Sequence, residues 1–94
     1  MTTYDLLTFI YDHLSRMASL NEATDELTEE DRDLLNAIGG AATVLMEYAN
    51  RTKDGNLYQI GDDFEYSVNH IAMRVYFKAA SVLKEAKFRI EAYK

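Results

Sequence analysis

Hydrophobic positions recur with a helical period along most of the chain, and in its C-terminal third they recur twice over. At 100° per residue, Phe64, Val68, Ile71, Val75, Ala79, Leu83, Ala86 and Ile90 share one sector of roughly 120° with Ala72, Val82 and Tyr93. The spacing predicts one long helix over 63–93 with that sector as its core face. On the other side, Tyr66, His70, Met73, Phe77, Ala80, Lys84 and Phe88 follow one another at intervals of three and four. A small domain buries one stripe, and a second stripe needs a further partner. Tyr66, His70, Met73, Phe77 and Phe88 are therefore the candidate partner interface, and a homo-oligomer, dimer or larger, is expected.

Two earlier stretches are amphipathic in the same way. Leu6, Leu7, Ile10, Tyr11, Leu14, Met17 and Ala18 share a face, and Thr2 with Asp5 has the spacing of a capping box, so a helix is expected from Thr2 or Thr3 to about Leu20. The polar segment 21–27 reads as a linker. Thr28 followed by Glu29, Glu30 and Asp31 is a strong helix start, with a hydroxyl cap and acids at the positive end of the helix dipole. From there Leu34, Leu35, Ile38, Ala42, Leu45, Met46 and Ala49 form a buried face that ends near residues 51–53. Gly39 and Gly40 lie inside this helix at a cost of about 2 kcal/mol relative to alanine. Gly39, Gly40, Ala41 and Ala42 are either a notch for a close helix crossing or a kink or break, and the spacing leaves both open. Residues 54–63 read as an irregular loop, opened by the Asp54-Gly55 turn signal, with a very short strand at 57–60 as the alternative.

The expected architecture is all-α: three helices, a helical hairpin plus the long C-terminal helix, in one domain over 1–94. Proline is absent, so nothing forces a break in the long helix, and the absence of cysteine excludes disulfides and thiolate chemistry. No apolar run approaches a membrane span, and the N-terminus has no secretory pattern; no membrane partner and a cytoplasmic location are expected.

Charge is unevenly distributed. Residues 1–65 carry four basic and fourteen acidic side chains, whereas 66–94 carry six basic and two acidic. The densest acidic surface is Glu22, Asp25, Glu26, Glu29, Glu30, Asp31 and Asp33. Such a run repels phosphate backbones, so direct nucleic-acid binding is not expected.

Candidate chemistry is sparse. His13 and His70 lack a second ligand at metal spacing, the four glycines form no phosphate-binding loop, and no nucleophile and base stand at a recognisable interval. No catalytic residue, metal or cofactor is expected. Seven tyrosines and four phenylalanines favour interfaces, where one edge of a ring is buried and the other wet. The leading expectation is a non-catalytic, acidic protein-interaction module. By size and charge alone it compares with phage-type inhibitors of host nucleic-acid-handling or defence complexes, anti-CRISPR or DNA-mimic in style. The alternative is an oligomeric helical regulatory protein or a receptor for a small anionic ligand, with Arg74 and Lys78 as the anion contacts.

Overall fold

The computed structural model describes residues 1–94. It is all-helical, with α1 Thr3–Ala18, α2 Glu29–Thr52, α3 Gly55–Ala72 and α4 Tyr76–Ile90, closed by a 3-10 turn Glu91–Tyr93. Four helices thus replace the three expected, because the long C-terminal helix is interrupted and the loop before it is helical.

Both predicted starts form as the sequence implies. Thr2 accepts from the Asp5 amide while Asp5 accepts from the Thr2 amide, a complete capping box. Thr28 caps α2 by accepting from the Asp31 amide at 3.1 Å. α2 then runs unbroken through Gly39 and Gly40 for 24 residues, which removes the reading of a helix break.

The segment 54–63 is neither loop nor strand. Asp54 accepts from the Leu57 amide at 3.0 Å and so starts α3. Leu57, Ile60 and Gly61 extend the buried stripe of Phe64 and Ile71 by two turns, at the same helical spacing. A Cβ on Gly61 would lie 2.6 Å from Met46 Cγ and 3.2 Å from the Ala42 carbonyl oxygen, so glycine lets α2 and α3 approach closely. The close crossing therefore centres on Ala42, the last residue of the small-residue notch. Gly39 makes only ordinary contact with Val68, and Gly40 faces open space.

The expected helix over 63–93 stops at Ala72. Arg74 adopts a left-handed conformation, φ 62°. The Arg74 amide donates to Ile71 O at 3.0 Å and the Val75 amide to His70 O at 2.8 Å, a Schellman closure. α2 ends in the same way: Lys53 has φ 59°, and the Asp54 amide donates to Ala49 O at 2.9 Å. Glycine is the usual residue at such positions, so an arginine and a lysine there leave little trace in the sequence.

Each closure reverses the chain. Asn56 Nδ2 donates to Arg89 O at 3.0 Å and Tyr93 Oη to Asp54 Oδ2 at 2.9 Å, fixing α4 antiparallel to α3. Tyr4 and Thr8 meet Lys87 and Ile90 across one cleft, and Tyr11 and Ala18 meet Ala80 and Leu83 across another, so α1 is antiparallel to α4. The result is an up-down-up-down bundle, 41 × 22 × 21 Å, in which α3 packs between α2 and α4 while α1 and α2 touch little. Phe64, Ile71, Ala79, Leu83 and Ile90 are buried with Leu7, Ile10, Leu14, Leu35 and Ile38 in one core. Because the break resets the phase of the second half, Tyr76 enters the core too, at 1% exposure.

Candidate functional site

One end of the bundle is held by charges that the sequence presents as a free acidic surface. Arg74 Nη2 donates to the carbonyls of Glu22 and Asp25, both at 3.0 Å, and Nη1 contacts Glu26 Oε1 at 3.4 Å. The Phe77 amide donates to Glu22 Oε1 at 3.4 Å, serving the start of α4, where Val75 offers no side-chain cap. At the other end of the linker Arg16 makes a two-point contact with Asp31, at 2.9 and 3.1 Å. The hydrogen bonds from Arg16 hold the Asp31 carboxyl below the usual aspartate range.

The predicted acidic surface therefore divides. Glu22, Asp25, Glu26 and Asp31 are tied within the chain, whereas Glu29, Glu30 and Asp33 are exposed and make no ion pair. Of the two predicted anion contacts, Arg74 is occupied by the linker and Lys78 is exposed without a partner.

A second charged group crosses the bundle. Asp63 is buried, 3.0 Å from Arg89 Nη1 and 3.0 Å from Gln59 Nε2. Burial raises its carboxyl above the ordinary range, against the lowering effects of Gln59 and Arg89. Sequence spacing pairs Arg89 with Glu85 on its own helix, and the structure pairs it across to α3 instead.

The aromatic seam is also redistributed. Tyr66 and His70 stack with ring centroids 4.0 Å apart, and His70 Nδ1 lies 2.9 Å from the Tyr66 carbonyl oxygen. Met73 is 60% exposed, Phe77 64% and Phe88 81%. Arg89 marks the flank of α4 that faces α3, and Ala80 and Lys84 mark the flank beside α1. Phe77 and Phe88 lie near the α1 flank by helical rotation, so the break separates them from Tyr66 and His70.

A surface the sequence reading missed lies along the open edge between α1 and α2. On α1 the flank turned from α4 carries Leu6, Phe9 and His13, with the Phe9 and His13 rings 4.6 Å apart in an edge contact. Arg16, one turn beyond His13 on α1, pairs with Asp31 of α2, which places this flank toward α2. On α2 the flank turned from α3 carries Leu34, Ala37, Ala41, Val44, Leu45 and Tyr48. Leu6, Phe9, Val44 and Tyr48 are all more than a third exposed. Asp5, Glu30 and Asp33 stand beside this edge, exposed and unpaired by any cation, whereas Asp12 lines the cleft toward α4 and Glu47 the cleft toward α3, and Arg51 is exposed and unpaired one turn beyond Tyr48. The signal was present as Leu34, Ala37, Ala41, Val44 and Tyr48 at intervals of three and four, next to the core stripe.

No three of the chain's histidine and acidic side chains converge as a metal site, and no helix is long and apolar enough to cross a membrane. Comparison with protein-family models, with curated proteins and with solved structures finds no match.

Proposed function

We propose that this protein is a non-catalytic interaction module that binds a basic protein surface through the open α1/α2 edge. The observation that carries the reading is the apolar strip Leu6, Phe9, Val44 and Tyr48, flanked by Asp5, Glu30 and Asp33, which lack cations. An apolar centre supplies affinity, and a mainly acidic rim favours a basic partner and speeds encounter. The finer form of the proposal is an inhibitor acting in the cytoplasm on a nucleic-acid-handling or defence complex, covering a basic site that otherwise receives phosphates. Size and charge are its support.

The test is binding to candidate basic nucleic-acid-handling proteins across ionic strength, with DNA as competitor. Association should weaken as salt rises and should be lost in Phe9→Asp/Tyr48→Asp, while Phe88→Asp leaves it intact. Binding that ignores salt, or survives the double substitution, rejects the α1/α2 edge.

A second reading is favoured by the exposure of Met73, Phe77 and Phe88. These residues, with Tyr66 and His70, would join copies of the chain into a dimer or larger assembly. Light scattering should then give a mass above that of one chain, which Phe77→Asp or Phe88→Asp reduces. A native monomer at high concentration sinks it.

A further inference from the structure

Beside the linker, where α2, α3 and α4 come together, lies a cavity of about 280 Å³, just below the roughly 300–1,000 Å³ range of ligand sites. Three features of its wall point to a ligand. Arg32, one turn into α2, lines it, and its guanidinium makes no ion pair or hydrogen bond within the chain, while Asn36 follows on the same face. Tyr76 lines it as well, and its buried hydroxyl is the one shielded side-chain polar atom without a hydrogen-bond partner. Leu27 and Leu35 complete an apolar side.

An unpaired guanidinium, an unpartnered phenol and an apolar wall are complementary to a carboxylate on a small hydrophobic body. We propose that this cavity binds a small aromatic or branched aliphatic monocarboxylate. Arg32 holds the carboxylate in a two-point contact, Asn36 donates to it, and the body lies against Leu27, Leu35 and the Tyr76 ring. Leu27 belongs to the linker rather than to a helix, so this side of the wall yields most readily to a ligand, whose carboxylate gives the shielded Tyr76 hydroxyl the acceptor it lacks. Arg74 and Glu26 also border the cavity, paired with each other at 3.4 Å, and the linker carbonyls engage Arg74 Nη2. Arg74 therefore shapes the site and holds its rim, and Arg32 is the charge that selects the ligand. The site is separate from the α1/α2 edge, so its failure leaves the protein-binding reading standing, and the reverse.

Phenylacetate titrated into the isotopically labelled full chain, followed by amide NMR, tests the proposal. Saturable shifts are expected at residues 26–36 and 72–77, with a Kd of about 1 mM or tighter. Arg32→Gln should weaken binding at least about tenfold, and Tyr76→Phe by roughly threefold or more. Phenylacetamide, which has the body without the charge, should bind at least about tenfold more weakly in the native chain. Arg32 is exposed and unpaired, so its variant keeps the fold. The proposal is overturned by the absence of saturable shifts, by an unchanged Kd in Arg32→Gln or Tyr76→Phe, or by equal binding of the amide. Inorganic phosphate binding as tightly as phenylacetate would overturn it too, since a plain anion site makes no use of the apolar wall.

Discussion

Arg74 and Glu22, 52 residues apart, brace each other: the guanidinium donates to the Glu22 carbonyl at 3.0 Å, and the Glu22 carboxylate accepts from the Phe77 amide three residues beyond Arg74. The same arginine provides the left-handed residue that ends α3 and the cation that anchors the linker.

Those two roles separate by substitution. Arg74→Ala keeps the unfavourable backbone conformation and loses the linker bonds, and should cost about 1–2 kcal/mol. Arg74→Gly loses the same bonds but relieves the backbone, and should be more stable than Arg74→Ala by about 1 kcal/mol. Urea denaturation compares the two variants, and faster hydrogen exchange at the Phe77 amide should accompany both. Equal stabilities would mean that the backbone at Arg74 stores no strain.

Glycines in the same bundle should respond with opposite signs. Gly61→Ala places a Cβ against Met46 and the Ala42 carbonyl, and should cost about 1–2 kcal/mol after the helix propensity gained. Gly40→Ala meets no atom within 4 Å and should stabilise by about 1 kcal/mol. Thermal melts of the two variants check both signs.

Asp63 and Asp31 should give opposite pH dependences. Burial raises the folded pKa of Asp63, so the folded state binds its proton more tightly, and this residue's contribution falls as pH rises through the window from the ordinary value of about 3.9 to the raised one. The stability of the native protein relative to Asp63→Asn should therefore decline over that rise. Asp31 is depressed by Arg16; its contribution is present above the ordinary value and is lost as pH falls through the folded one. The native margin over Asp31→Asn should grow with pH, by less than about 1 kcal/mol for a pair at the surface. Margins measured by denaturation from pH 3 to 7 that move in the same direction would contradict this assignment.

Tyr76→Phe should fold at least as stably as the native chain and gain up to about 1 kcal/mol, because it removes a buried hydroxyl that has no partner. A loss above about 1 kcal/mol would show that the hydroxyl is satisfied in the folded protein.

Local periodicity and local hydrogen bonding make several features legible along the chain. These are the all-α class, the capping box at Thr2 and Asp5, the start of α2 at Thr28, and the buried stripe through Phe64, Ile71, Leu83 and Ile90. Leu57 and Ile60 were legible in the same stripe, and the Asp54-Gly55 pair hid them because a turn signal and a helix N-cap use the same residues. The break at Arg74 has no such local cause, since a left-handed arginine is held by carbonyls of a linker some fifty positions earlier in the chain. The break then decided the rest. It rotated Tyr76 into the core, divided Tyr66 and His70 from Phe77 and Phe88, and doubled the chain back so that Arg89 reaches Asp63. It also left α1 packed mainly on α4, with an open edge toward α2, because a helix whose partners come from distant segments has its buried and exposed flanks set by packing order, which periodicity along one helix does not contain.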